Sequence, residues 1–367
     1  MADVFERNVH CLLGLPFDAV DTAGAVRRVR DAALRREPCF LSTPNVNWLV
    51  ACLADEAFRD SVIRSDLSIV DGMPLVWIAG LLGIPTRERV AGSEVFEKLR
   101  RDRTTRLSVF FFGGQAGVAH ATCAKINADS GGITCVGFHF PGFGSVEEMS
   151  SDETIRRINA SSADFVVVAL GAKKGQAWIE RNRARLSAPV ISHLGAVVDF
   201  VAGRVSRAPV WIQRTGFEWL WRIKEQPGLW QRYLSDGLVL LRLLVTRVLP
   251  YAWFMYWHKP SRQELDSAAI DFQDTGDEIV IRLRGAWVQT NMRPLRDCFS
   301  KAVLADREIR LVMGEVAYVD SAFVGLVMLL RGHQARHGRR LQIVSIQKPV
   351  AQILTYCCAD YLYSSPA

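Results

Sequence analysis

A chain of 367 residues, 49% hydrophobic and 23% charged, is long enough for two domains with proper cores, and its composition excludes wholesale disorder. A net charge of +7 favours polyanionic partners: nucleic acid, anionic lipid or diphosphate groups. The cysteines, at 11, 39, 52, 123, 135, 298, 357 and 358, form no C-x-x-C pair, which argues against zinc and for reduced, mostly buried thiols of a cytoplasmic protein.

The N-terminus, Met1 to Arg7, leads into only a short apolar stretch, so no signal peptide is expected. Residues 39–42 lead into a loop, and a helix is predicted through Trp48 to Asp60. Residues 67–70 read as a short strand ending at Asp71-Gly72, and 107–112 as a fully apolar strand ending at Gly113-Gly114. A helix follows over 116–127. Further strands are predicted at 133–138, at 165–170 before Gly171, and at 189–194 before Gly195. Continuous apolar strands separated by helices predict an α/β fold with a parallel sheet covered on both faces. Several strands end in Gly or Asp-Gly, and in open α/β sheets ligands bind beyond the carboxyl ends of strands. Glycine there either turns the chain or lets the backbone approach a phosphate.

From Ala202 the character changes. Arg204, Arg207, Arg214, Arg222, Lys224, Arg232, Arg242 and Arg247 are interleaved with Trp211, Phe217, Trp219, Trp221, Trp230, Tyr233, Tyr251, Trp253 and Trp257. This pattern predicts a surface resting on anionic lipid, the other reading of the segment being a buried core helix with Arg242 and Arg247 exposed; the Leu/Val-rich run at 238–249 argues against nucleic acid as the partner. No uncharged apolar run reaches the roughly 18–20 residues of a spanning helix. The nearest, 237–257, is interrupted by Arg242 and Arg247 and cut by Pro250. Residues 261–267 read as a polar linker. Beyond it, strands at 278–283, 310–313, 316–320 and 341–345 with helices at 321–337 and 350–357 make a small α/β domain. The domain boundaries expected are 1–235, a membrane-contact segment and linker at 236–262, and 263–367.

The motifs that carry chemistry are Ser42-Thr43-Pro44-Asn45-Val46-Asn47, Ile69-Val70-Asp71-Gly72-Met73-Pro74, Glu88-Arg89-Val90-Ala91-Gly92-Ser93, Gly171-Ala172-Lys173-Lys174-Gly175-Gln176-Ala177-Trp178, and Gly195-Ala196-Val197-Val198-Asp199-Phe200 running on to Arg207 and Arg214. With the trailing Phe217-Glu218-Trp219, Arg222, Glu225, Pro227 and Arg232-Tyr233, they resemble the WecG/TagA/CpsF glycosyltransferase family in order from Thr43 to Tyr233. The resemblance implies a Rossmann-like fold. It also implies an inverting enzyme that moves a sugar from a UDP donor to a polyprenyl-diphosphate-linked sugar, peripherally at the cytoplasmic face of the membrane, in exopolysaccharide, capsule or cell-wall polymer synthesis. Family members can self-associate.

The family's proposed base falls on Asp71; inverting transfer needs the acceptor hydroxyl deprotonated as it attacks. The other reading of Asp71 is a cap on the following helix. Thr43, Asn45 and Arg89 match donor- and acceptor-site positions. Arg89 either grips a diphosphate or pairs with Glu88 or Glu94. Gly113 and Gly114 approach the nucleotide or only turn the chain. Asp199 accepts from uracil or ribose, or starts a helix. Gly171, Lys174 and Gly195 complete the expected strand-end set. The chain has no Asp-x-Asp, so metal-independent catalysis is expected, with Arg89, Lys174, Arg207, Arg214 and Arg222 available to neutralise the leaving diphosphate. One motif departs from the family pattern Gly-x-Pro-Lys-Gln-Glu-x-Trp. Lys173 replaces proline, Gly175 replaces glutamine and Gln176 replaces glutamate. Either the amide function has moved to Gln176, or sugar specificity has changed, or activity is lost.

The C-terminal segment Val316-Ala317-Tyr318-Val319-Asp320-Ser321-Ala322-Phe323-Val324-Gly325-Leu326 resembles the STAS family, over about 268–362. It implies a domain that binds a protein partner, with Ser321 either a phosphorylation switch at a helix N-terminus or a plain helix-start serine. The competing function is a catalytically inactive regulatory scaffold that works through this domain.

Overall fold

The computed structural model describes residues 4–129, 131–204, 208–209, 212 and 216–363. They form two compact units, one of Val20–Val76 with Thr86–Gly237, the other of Met1–Ala19, Trp77–Pro85 and Leu238–Ala367. The chain opens with an antiparallel hairpin of β1 (Val9–Leu12) and β2 (Leu15–Asp18), which belongs to the second unit.

The first unit starts at α1 (Thr22–Arg35), capped by the Asp21 carboxylate, which accepts from the Gly24 amide. Then come β3 (Cys39–Ser42), α2 (Val46–Ala54), α3 (Glu56–Ile63), β4 (Leu67–Ser68), α4 (Met73–Leu81, whose second half belongs to the other unit), α5 (Gly92–Arg101), β5 (Leu107–Gly113) and α6 (Val118–Ala128). After these follow β6 (Ile133–His139), α7 (Asp152–Ala160), β7 (Phe165–Ala169), α8 (Ala172–Asn182), β8 (Val190–His193), α9 (Gly195–Ala202) and α10 (Glu218–Glu225). The strands make one six-stranded parallel sheet in the order β4-β3-β8-β7-β5-β6. Consecutive residues of a strand point to opposite faces, and both faces are covered. Val109 and Phe111 therefore join the core under α1, α5, α6 and α9, while Phe110 and Phe112 join the core under α7 and α8. This is why 107–112 is apolar at nearly every position. The helix predicted over 48–60 is two helices, because the Asp55 side chain accepts from the Phe58 amide and starts a new one. Contrary to the expectation of reduced thiols throughout, Cys123 on α6 and Cys135 on β6 form a disulfide, their Cα atoms 5.2 Å apart where the helix lies on its strand.

Helix α11 (Trp230–Leu243) leads through a π-turn at Leu244–Val248 into α12 (Leu249–Trp257). The expected break at Pro250 does not occur. The π-turn, closed by the Leu249 amide donating to the Leu244 carbonyl, widens the backbone just before the proline and lets the helix run on past the N–H that Pro250 lacks. As a result Pro227–Trp257 is long and apolar enough to cross a membrane by length and composition. From residue 238 onward it buries Leu243, Val248, Tyr251 and Phe254 and exposes Leu238, Leu241, Val245, Leu249, Trp253 and Tyr256.

The expected linker forms α13 (Arg262–Asp266), started by a Ser261–Glu264 capping box. Strands β9 (Ala269–Asp274), β10 (Glu278–Trp287), β11 (Glu308–Val319) and β12 (Leu341–Val344) form a sheet in the order β12-β11-β10-β9, antiparallel only at β9. The two strands predicted at 310–313 and 316–320 are one strand, with register shifts in its pairing to β10. Helices α14 (Arg293–Leu304), α15 (Ser321–Arg336) and α16 (Lys348–Tyr356) complete the unit. The compact units thus divide the chain otherwise than the boundaries at 235 and 262. The N-terminal hairpin lies on α15, where a Cβ on Gly325 would come within 2.6 Å of the Val9 carbonyl oxygen. It buries Val9, Cys11, Leu12, Leu15 and Phe17, which explains why so short an apolar stretch opens the chain.

Candidate active site

The carboxyl ends of β3, β4, β7 and β8 bring most of the expected residues to one edge of the six-stranded sheet. Asp71 follows β4, and its amide donates to the Pro44 carbonyl across the edge (3.0 Å). Its carboxylate does not cap α4. The Gly72 carbonyl begins that helix by accepting from Leu75 and Val76. The carboxylate is instead met by the Gly92 amide at the start of α5. Burial pushes the Asp71 carboxyl above its ordinary range; Arg89 and Arg222 pull it back, and Glu218 adds to the rise.

Arg89 pairs with neither Glu88 nor Glu94. It forms an ion pair with Glu218 of α10, while Glu88 accepts from the Thr22 amide (2.6 Å). Burial works against the Arg89 charge, but the Asp71 and Glu218 carboxylates more than offset it. Arg222, one turn along α10, lies over the Phe200 ring at 5.6 Å. Asp71, Arg89, Glu218 and Arg222 form one charged network, held by β4, the loop before α5, and α10. Thr43 and Asn45 border it. A Cβ on Gly92 would stand 2.7 Å from Thr43 Cγ2 and 2.5 Å from Leu194 Cδ2, so any side chain at the start of α5 would push Thr43 and Leu194 aside. The Asn45 side-chain oxygen is taken by the Trp48 amide (3.1 Å) as the cap of α2, leaving its NH2 group for a ligand.

A second polar group lies at the ends of β3 and β8. Gln176, buried in the first half of α8, donates to Ser42 Oγ (2.8 Å), and its Oε1 has no partner among the described residues. Beside it His193, the last residue of β8, is held well below the ordinary imidazole range, at about 4, by burial. Sequence reasoning missed His193 and the pairing role of Glu218. A polar ring closing a largely apolar strand shortly before Gly195 was the available signal for the first; nothing local announces the second.

The remaining expected residues are placed elsewhere or used otherwise. Lys174 is exposed and donates to the Gly144 carbonyl (2.8 Å), away from the charged network. Lys173 pairs with Asp55. Gly113 is fixed by packing: at φ +95°, a Cβ would sit 2.6 Å from the Ala169 carbonyl oxygen. Gly114 (φ +84°) donates to that oxygen at 2.7 Å. Gly171, at φ +82°, precedes α8 with open space where a Cβ would stand, and Gly195 begins α9. Asp199 lies within α9 rather than at its start; its carboxyl is raised by burial and pulled back by Arg204. Arg207 and Arg214 lie outside the described residues. In the other unit, Ser321 is the first residue of α15. Its hydroxyl is 3.1 Å from His10 Nδ1, while Asp320 caps the helix.

A desolvated carboxylate with two guanidinium groups, at the carboxyl edge of a parallel α/β sheet, defines an enzyme that can take a proton beside a bound anion. The chain belongs to the WecG/TagA/CpsF family of glycosyl transferases, whose pattern matches residues 10–252. Residues 270–362 match the "Mlab, STAS domain" family. Two relatives carry the name N-acetylglucosaminyldiphosphoundecaprenol N-acetyl-beta-D-mannosaminyltransferase. That of Bacillus spizizenii is 29% identical over 198 residues, 53% of this chain and 75% of its own. That of Bacillus subtilis is 28% identical over 207 residues, 56% of this chain and 78% of its own.

Proposed function

We propose that this glycosyltransferase moves a hexose or N-acetylhexosamine, with inversion, from a UDP-sugar to a polyprenyl-diphosphate-linked sugar during exopolysaccharide, capsule or cell-wall polymer assembly. The observation that carries the reading is the half-buried Asp71 carboxylate, its pKa raised by desolvation, beside Arg89 and Arg222. Asp71 takes the proton of the acceptor hydroxyl while that oxygen bonds to the anomeric carbon and the bond to the UDP oxygen breaks. Arg89 and Arg222 offset the charge released on the diphosphate, with no divalent metal required. Thr43, Asn45 and Gln176 line the same edge as substrate contacts. The names of the two relatives support the acceptor class.

The exposed stripe of Leu238, Leu241, Val245, Leu249, Trp253 and Tyr256, three or four residues apart, supports peripheral binding to the inner face of the cytoplasmic membrane. Arg232, Arg242 and Lys259, all exposed, would meet anionic headgroups. The STAS domain adds a docking site for a protein partner, with Ser321 as its candidate switch. A membrane assay with labelled UDP-sugars and lipid-diphosphate acceptors tests the reading. Wild type should give EDTA-insensitive lipid-linked product that Asp71→Asn does not. Absence of product from both with every donor overturns it.

A further inference from the structure

The departure from the family motif at Gly175 has a partner in space. A Cβ built on Gly175 would fall 2.3 Å from His193 Cδ2 and 3.0 Å from Cγ, inside any real contact distance. The imidazole therefore occupies the space that a side chain at 175 would need, and any larger residue there requires the ring to leave. A Cβ on Gly195 would lie 3.4 Å from His193 Nε2, so the ring sits between the first turns of α8 and α9, with Trp48 on another side at 5.9 Å between ring centroids.

Its hydrogen bonding is incomplete. One ring nitrogen meets the residue's own carbonyl, and Nε2 is buried without a partner among the described residues. Burial keeps the ring neutral, and in the tautomer with the proton on Nδ1, towards the carbonyl, Nε2 presents a bare lone pair. Gln176, the chain neighbour of Gly175, likewise presents an unpartnered buried Oε1. Two buried acceptors without donors carry a substantial desolvation cost unless a ligand supplies the donors. Both lie at the strand edge where Gly171 leaves open backbone.

We propose that His193 is a specificity-determining residue for the transferred sugar, its Nε2 accepting, together with Gln176 Oε1, from hydroxyl or acetamido N–H donors of that sugar. Gly175 is the small partner that makes room for it. This inference rests on the transferase reading above and deepens it by assigning the sugar-reading group. A site that hydrogen-bonds a substrate donor rejects analogues lacking that donor strongly, so its loss should change selectivity more than overall rate.

The experiment measures kcat/KM for UDP-hexoses differing at a single hydroxyl or acetamido group, with wild type, His193→Ala and the double variant Gly175→Gln/His193→Ala. Melting temperatures confirm folding, and UDP binding by calorimetry confirms the site. His193→Ala should lower the ratio between preferred and next donor by about tenfold or more. The double variant should restore discrimination with a different preferred donor. A ring that only packs on Trp48 would lower all donors alike; an unchanged ratio in both variants overturns this inference alone. Wild type that binds no UDP and transfers from no donor overturns the transferase reading and the inference with it. Should His193→Ala fail to fold, His193→Leu, which fills the space without an acceptor, replaces it, and an unchanged donor ratio there also overturns the inference.

Discussion

Each unit places an aspartate at a strand-to-helix junction, and the two are used oppositely. Asp320 lies between β11 and α15 and accepts from the amides of Ala322 (2.9 Å), Phe323 (3.0 Å) and Gln289 (2.7 Å). Asp71 lies between β4 and α4, leaves its own helix to the Gly72 carbonyl, and faces Arg89 and Arg222. Burial raises both carboxyls above the ordinary range. The same residue in the same kind of place is a structural cap where backbone donors fill its lone pairs, and, on the proposed function, a chemical group where guanidinium groups face it. The buried histidines differ in place rather than in pairing: each leaves Nε2 without a partner among the described residues, but His10 has its Nδ1 on Ser321 in the second unit, whereas His193 ends β8 at the strand edge beside Gln176.

The sharpest way to break the comparison is Asp71→Asn. Transfer should fall by about a hundredfold to ten-thousandfold, the range for loss of a positioned general base. Thermal stability should hold or rise. A carboxyl whose folded pKa is raised contributes stability below its unfolded pKa and loses it as pH climbs, so at neutral pH the ionised group is a burden that asparagine removes. Full activity in Asp71→Asn would place the base elsewhere. A large drop in melting temperature would make Asp71 a second Asp320.

Acid should act on both units through their histidines. Each is held at about 4 in the fold against an ordinary 6.5, His10 by burial and then Arg296, His193 by burial. The stability they confer is complete above pH 6.5 and is lost as pH falls towards 4, amounting to about 3 kcal/mol per histidine. Denaturant titrations at pH 7 and pH 4.5 measure it; His10→Gln and His193→Gln should each flatten the pH dependence. A slope unchanged in both variants would mean that the rings protonate without penalty.

Next in size, Asp320→Ala should destabilise by about 2 kcal/mol, since three amides lose their acceptor, while Asp320→Asn, which keeps an oxygen, should cost much less. Equal losses in the two variants would show that charge, not acceptance, matters there.

How much of this was legible follows the same division between local and distant contacts. The parallel sheet was readable because 107–112 and 165–170 are apolar at successive positions, which only strands buried on both faces require. Asp71, Arg89 and the strand-end glycines were readable because they stand in short motifs. The N-terminal hairpin was not, because its burial depends on α15, some three hundred residues away. Pro250 misled because a π-turn, set by backbone hydrogen bonding rather than composition, absorbs it. His193 was hidden because its meaning comes from Gly175, a missing side chain on another element.

The smallest expected effect probes the balance at Asp71 itself. Glu218 holds Arg89 and, by its charge, helps raise the Asp71 carboxyl. Glu218→Gln removes a negative neighbour and leaves Arg89 without its carboxylate partner, and both changes favour ionised Asp71. The acidic limb of kcat/KM should therefore move to lower pH. A free guanidinium should also bind a diphosphate more readily, so the donor KM should fall a few-fold. A limb that moves to higher pH would mean that Glu218 chiefly positions Arg89, and that the geometry of the pair, rather than its charge, sets the base. Because backbone amides, which no side-chain substitution removes, are what pull the Asp320 carboxyl back, Asp320 is the internal control for the comparison.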